Sequence, residues 1–161
     1  MRKPIRILMG SASDLETVRD AANVLKDFKV GFEIKVLSAH RSPKELACYV
    51  EEAAAKGVKV FIAAAGGSAA LAGVIASHTV LPVIGIPIET KSLKGLDSLL
   101  STVQMPGGIP VAAMAIGKAG AKNAALLALE ILGLQDTRIA KALRAYKQKM
   151  RIAIRNAKIK I

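Results

Sequence analysis

The chain has 161 residues, 52% of them hydrophobic and 3% aromatic, with one cysteine and a formal charge of +12. That length fits a single domain over residues 1–161 with a buried core, and a lone Cys48 excludes both an intrachain disulfide and a CxxC-type metal site. No run of about 18 uncharged apolar residues offers a membrane span, and no positively charged start leads into a long apolar stretch. The expectation is a cytoplasmic protein without a membrane partner.

Residues 5–9 read as a first strand, and Ser13-Asp14-Leu15-Glu16 offers a capping-box-like start for a helix through about residue 28. A second strand spans 32–37. Pro43 suits the first turn of a helix that runs to about residue 56 and stops at Gly57. The near-continuous apolarity of 58–64 predicts a third strand buried on both faces. After Gly66-Gly67 come a small-residue helix over 69–77 and a fourth strand over 83–86. A short helix near 95–101, a fifth strand over 111–116 and a helix over 119–132 ending at Gly133 complete the alternation. Strands alternating with helices predict an α/β fold: a five-stranded parallel sheet with right-handed crossovers in a three-layer sandwich. Cys48, between Leu46 and Val50, is expected to be a buried structural thiol.

The charge is concentrated at one end. Residues 136–161 carry nine Lys or Arg against Asp136 alone, a net +8 of the total +12. Ile139, Leu143, Tyr146, Met150, Ile154 and Ile161 recur at helical spacings, so this segment is expected to be an appended basic amphipathic C-terminal helix. Its apolar stripe should pack on its own domain or on a sister subunit. Apart from Tyr146 it lacks interleaved aromatics, so nucleic acid is not the expected partner despite the basic tail.

Ligands of open α/β sheets bind at the carboxyl ends of strands, which draws attention to the segments that follow them. Ser38-Ala39-His40-Arg41-Ser42-Pro43 follows the second strand and sets a titratable imidazole beside a fixed cation: an anion site or a solvated turn. Gly10-Ser11-Ala12-Ser13-Asp14 follows the first. There a glycine permits close backbone approach, hydroxyls and amides can receive phosphate, and Asp14 can accept from sugar hydroxyls, although Ser and Asp are also ordinary helix caps. It matches neither GxGxxG nor a triphosphate loop. Gly66-Gly67-Ser68 reads equally as a tight turn or a ligand cradle, and residues 104–110, rich in Gly and Pro, as a connector or a rigid loop over a pocket.

Taken in order, Met9-Gly10-Ser11-Ala12-Ser13-Asp14, Ser38-Ala39-His40-Arg41-Ser42-Pro43, Ala65-Gly66-Gly67, Gly95-Leu96-Asp97-Ser98-Leu99 and Val103-Gln104-Met105-Pro106-Gly107-Gly108-Ile109-Pro110-Val111 resemble the class I form of 5-(carboxyamino)imidazole ribonucleotide mutase, the PurE family of de novo purine synthesis. The similarity continues through Ala115-Ile116-Gly117 and Asn123-Ala124-Ala125. It implies a flavodoxin-like subunit assembled as a homo-octamer, a small-molecule ribonucleotide substrate, and no metal or organic cofactor. The implied reaction moves a carboxylate from the exocyclic nitrogen of the aminoimidazole ribonucleotide to ring carbon 4. The resemblance makes His40 the catalytic acid and base. It makes Ser11, Asp14 and Arg41 the binders of the ribose phosphate, with Gly10, Ser13, Ser38 and Ala39 in the same substrate-binding loops. Gly66, Gly67 and the loop around Met105 are expected to close the pocket.

One departure stands out. Where the family usually reads Gly-Gly-Ala-Ala-His-Leu-Pro-Gly, this chain reads Gly66-Gly67-Ser68-Ala69-Ala70-Leu71-Ala72-Gly73, so Ala70 replaces the second active-site histidine. His78 is a poor substitute, since eight helical residues span about 12 Å. Three readings follow: an active mutase, a related lyase that uses free carbon dioxide with aminoimidazole ribonucleotide, and a non-catalytic paralogue that binds a ribonucleotide, or nucleic acid through its tail. The persistence of His40, Arg41 and Asp14 favours the first.

Overall fold

The computed structural model describes residues 3–159. Five parallel strands, β1 (Ile5–Met9), β2 (Phe32–Val36), β3 (Val60–Ala65), β4 (Val83–Pro87) and β5 (Ala112–Ala113), form one sheet in the order β2-β1-β3-β4-β5. Helices α1 (Leu15–Asp27), α2 (Pro43–Ala55), α3 (Leu71–Ser77), α4 (Leu96–Val103), α5 (Gly117–Gly133) and α6 (Thr137–Arg155) connect and flank them. The expected flavodoxin-like three-layer α/β architecture is what the chain adopts.

Strand periodicity divides the core. Ile5, Ile7 and Met9 of β1, with Ile62 and Ala64 of β3, face α1, α5 and the start of α6; Leu8, Phe61 and Ala63 face α2 and α3. Because β3 and β4 bury side chains on both faces, their sequences run apolar without alternation, and β1 does the same except at Arg6. Helix α5 is lined by Ala121, Ala124, Ala125 and Ala128, all fully buried, and these small side chains let it lie close to the sheet and to α1.

Several boundaries differ from expectation for identifiable reasons. The capping box is made by Ser11 and Asp14, two residues before the expected one, and opens a 3-10 turn (Ala12–Asp14) ahead of α1. Strand β3 starts at Val60, not at 58, because the Val58 N–H is already committed to the Ala53 carbonyl at the end of α2 (3.2 Å). Helix α3 starts at Leu71 because Ala69 takes a positive φ of 28°. The fifth strand keeps only two residues: Ala112 and Ala113 pair with β4, and Met114 adds one bond to the Gly85 carbonyl (2.9 Å). The chain then turns into α5, which begins at Gly117.

The tail forms a helix, but a shorter one than 136–161. It begins on Asp136, whose carboxylate accepts from the Arg138 and Ile139 amides (2.9 and 3.2 Å), and ends at Arg155. Its stripe docks only in its first half, where Ile139 and Leu143 are buried and Tyr146 meets Phe28 edge-on at 5.7 Å between ring centroids. Met150 and Ile154 are exposed, and Lys160 and Ile161 lie outside the described residues. Cys48 is exposed, contrary to expectation: α2 buries Leu46, Val50 and Ala53, and position 48 falls on the opposite side of that stripe.

Candidate functional site

Strand β2 lies to one side of β1 and β3 to the other, so the loops after β1 and β3 diverge and leave a crevice at the carboxyl edge of the sheet. A cleft of about 530 Å3 occupies it, lined by loops that follow β1, β2, β3 and β4.

The β1 loop contributes Gly10, Ser11, Ser13 and Asp14. Gly10 continues the ladder through its amide to the Ala64 carbonyl (3.0 Å). The chain then folds on its own hydroxyls: Ser11 Oγ accepts from the Ser13 amide (3.3 Å) and from Ser13 Oγ (2.8 Å), while the Ser11 amide donates to Asp14 Oδ2 (3.2 Å). Asp14 is buried, and that burial raises its carboxyl pKa, opposed by the Ser11 amide, the Ser13 hydroxyl and the Arg41 guanidinium. A ligand that donates hydroxyl hydrogens to Asp14 therefore stabilises its charged form.

The β2 loop contributes Ser38, Ala39, His40 and Arg41. It is a closed turn: the Ser38 amide donates to Ser42 Oγ (3.0 Å), Ser42 Oγ donates to the Ser38 carbonyl (3.1 Å), and the Arg41 amide donates to Ser38 Oγ (3.2 Å). Arg41 Nη2 reaches across to the Gly10 carbonyl (2.9 Å), which ties the two loops together, and Nε donates to Ser38 Oγ (3.5 Å), so Nη1 is the guanidinium nitrogen without a hydrogen-bond partner among the described residues. His40 is exposed, and its ring has no hydrogen-bond partner among the described residues. Both of its nitrogens are available to a bound molecule.

The β3 loop brings Ala65, Gly66, Ala69 and Ala70 to the cleft. A buried hydroxyl anchors it: Ser98 Oγ of α4 accepts from the Gly67 amide (2.9 Å) and donates to the Ile88 carbonyl (2.7 Å). Ser98→Ala strands both backbone groups away from water, and we expect it to lower unfolding free energy by about 2 kcal/mol in a denaturant titration.

Of the sequence-predicted residues, Gly10, Ser11, Ser13, Asp14, Ser38, Ala39, His40, Arg41 and Gly66 converge on this cleft. Gly67 sits behind it, turned toward Ser98. Met105 is elsewhere in the same chain, packed against Gly73, and Gly108, Ile109 and Pro110 of its loop line a different cavity beside His78. Within one chain, then, that loop does not close the cleft. His78 Nδ1 pairs with Glu51 (3.1 Å) at the end of α3, away from His40. Sequence reasoning missed Leu71, Ile88, Glu89 and Thr90. The last three follow β4 directly, so the strand-end rule that singled out the other loops covered them too.

Fold and cleft together define a flavodoxin-like α/β protein with a strand-end site suited to a phosphorylated small molecule: serine hydroxyls, a buried carboxylate, an arginine and an unpartnered imidazole. A family model described as AIR carboxylase matches residues 4–153. The chain belongs to that family. It is 54% identical over 147 residues to an N5-carboxyaminoimidazole ribonucleotide mutase of Pyrococcus abyssi, covering 91% of this chain and 83% of that one. It is 52% identical over 143 residues to the enzyme of the same name from Bacillus subtilis, covering 89% and 88%. Among solved structures, Treponema denticola PurE superposes with a TM-score of 0.87 at 32% identity, over 95% of this chain and 94% of that one.

Proposed function

We infer that this chain is an isomerase of de novo purine biosynthesis, which moves the carboxylate of 5-(carboxyamino)imidazole ribonucleotide from the exocyclic nitrogen to ring carbon 4. The observation that carries this reading is the convergence of His40, Arg41, Ser11 and Asp14 on one cleft, in a chain about half identical to relatives that bear the mutase name.

The chemistry distributes over these residues as follows. Arg41 and the Ser11–Ser13 hydroxyls and amides hold the ribose phosphate, and Asp14 accepts from ribose hydroxyls. Protonated His40 delivers its proton to the exocyclic nitrogen as the N–C bond breaks, releasing carbon dioxide and leaving the neutral amine. Carbon 4 of the electron-rich ring attacks the carbon dioxide. His40, now neutral, removes the hydrogen from carbon 4, which restores the aromatic ring and returns the imidazole to its starting state. An imidazole both gives and accepts a proton, so one group can serve both proton steps. Ala39, Ala65, Ala69 and Ala70 supply the apolar wall against which carbon dioxide is held.

Feeding the purified chain 5-(carboxyamino)imidazole ribonucleotide in one reaction, and aminoimidazole ribonucleotide with bicarbonate in another, tests the assignment. The mutase reading expects fast turnover of the first only; the lyase reading expects the second to be at least as good. The replacement of the family's histidine by Ala70 keeps a second reading in view, a ribonucleotide-binding protein without carboxyl transfer. Turnover by the parent chain decides against it, and Ala70→His is expected to change rate by less than about tenfold, because His40 already carries both proton steps.

The single domain over 1–161, cytoplasmic location and homo-octameric assembly belong to the same proposal. Leu96, Leu100 and Val103 form an exposed stripe along α4, each about half exposed, continued by Leu93, and this surface supports burial against sister subunits. No described helix is long and apolar enough to cross a membrane.

A further inference from the structure

On the opposite edge of the sheet, the amino ends of β1 and β3 open onto a second cleft of about 700 Å3. Five-residue β1 separates it from the His40 cleft by about 17 Å. Six cationic side chains line it, Lys3, Arg6, Lys29, Lys56, Lys59 and Arg138, against the carboxylate of Asp136. Three are partnered: Arg6 with Glu33 (3.8 Å), Lys56 with Glu52 (2.9 Å) and Arg138 with Asp136 (3.5 Å). Lys3, Lys29 and Lys59 have no carboxylate within 4.0 Å among the described residues. Arg6 Nη1 donates to the Lys3 carbonyl (2.6 Å), and its Nε, beside Glu33, is buried without a hydrogen-bond partner among the described residues.

Helices α1, α2 and α5 end at this edge, and each carboxyl end carries about half a negative charge, which accounts for part of the positive lining. It does not account for Lys29. Helices α1 and α2 stop in the same motif: Val30 donates to the Leu25 carbonyl (3.0 Å) and Lys29 to Lys26 (2.9 Å), just as Val58 donates to Ala53 (3.2 Å) and Gly57 to Ala54 (3.1 Å). The motif requires a left-handed residue, which favours glycine. Helix α2 supplies Gly57 at φ 88°, whereas α1 places Lys29 there at φ 56°. A β-carbon is strained in that conformation, so an unpaired cation is held where stability alone selects glycine.

We propose that this cleft binds a multiply charged phosphate chain, as carried by a nucleoside triphosphate or by inorganic triphosphate, with Lys3, Lys29 and Lys59 as its point charges and Arg6 beneath them. Its volume falls within the range of small-molecule sites, about 300–1,000 Å3. Binding here leaves the ribonucleotide cleft free, so the two ligands can occupy one chain together.

The test is calorimetric titration of the full chain with inorganic triphosphate and, separately, ATP, in about 0.15 M salt, on an Arg41→Ala background that silences anion binding beside His40. Saturable binding is expected, weakened at least tenfold by Lys29→Gly combined with Lys59→Gln. Lys29→Gly should keep or raise the Tm, because glycine suits the left-handed position, so lost affinity cannot be ascribed to unfolding. Equal affinity for both ligands assigns recognition to the phosphate chain, and tighter ATP binding adds the nucleoside; either supports the site. Absence of saturable binding overturns the proposal. So does affinity untouched by the paired variants, or weakened equally by Arg151→Gln and Arg155→Gln on distal α6, which would reveal only a diffuse field.

Discussion

His40→Asn is expected to lower kcat for 5-(carboxyamino)imidazole ribonucleotide by about 10³–10⁴-fold while ribonucleotide affinity stays nearly unchanged. Asparagine keeps a polar group of similar reach but can neither deliver a proton to the exocyclic nitrogen nor take one from carbon 4. In the proposed mechanism both proton steps depend on the same ring, so the loss should fall on kcat. Binding is expected to survive because the proposed mechanism takes its phosphate and ribose contacts from Ser11, Asp14 and Arg41, and the 38–42 turn is closed by the Ser38, Ser42 and Arg41 hydrogen bonds without using the imidazole. Steady-state kinetics paired with a calorimetric titration separate the two quantities. A comparable loss of affinity would mean that His40 positions the substrate, and a small loss of kcat would place the proton transfers on another group.

Gly120→Ala is expected to be the most damaging single-methyl change to the fold. A β-carbon there would overlap the Ala115 carbonyl oxygen and stand 2.7 Å from the Ala115 carbonyl carbon, and backbone atoms cannot swing aside as a side chain can. Relief requires moving either the 115–117 turn or helix α5, whose Ala121, Ala124, Ala125, Ala128 and Leu129 are fully buried in the core. Overpacking against fixed backbone costs about 3 kcal/mol or more, which for a chain of this size lowers Tm by about 6–12 °C. Gly107→Ala serves as the control, since nothing lies within 4 Å of the added carbon, and it should leave Tm unchanged. Equal melting of the two variants would show that the α5 entry is not tightly packed.

The sequence displays the sheet and the His40 cleft because both follow from local rules. Buried parallel strands read as apolar runs, and loops after their carboxyl ends carry the polar residues, so Ser11, Asp14, His40 and Arg41 stand out in the sequence itself. Features set by long-range contact are less visible. The end of β5 after Ala113 and the close approach of Ala115 to Gly120 are both set by contacts that no periodicity announces. Ser98, which joins Gly67 to Ile88, reads in the sequence as one more serine on a short helix. Met105 sits in a Gly- and Pro-rich loop whose composition says that it is a loop and not which cavity it borders. Cys48 is different in kind: the stripe of Leu46, Val50 and Ala53 was itself enough to place the thiol on the outer face.

Transfer of the carboxylate within one substrate molecule is the reaction we propose for this chain. The most direct measurement is conversion of 5-(carboxyamino)imidazole ribonucleotide labelled with carbon-13 in its carboxylate, by the purified chain, in unlabelled bicarbonate. Ring-carboxylated product that keeps most of its label is the predicted result. Product whose label has been replaced from bicarbonate, or a chain that binds the ribonucleotide and forms no product, would contradict it.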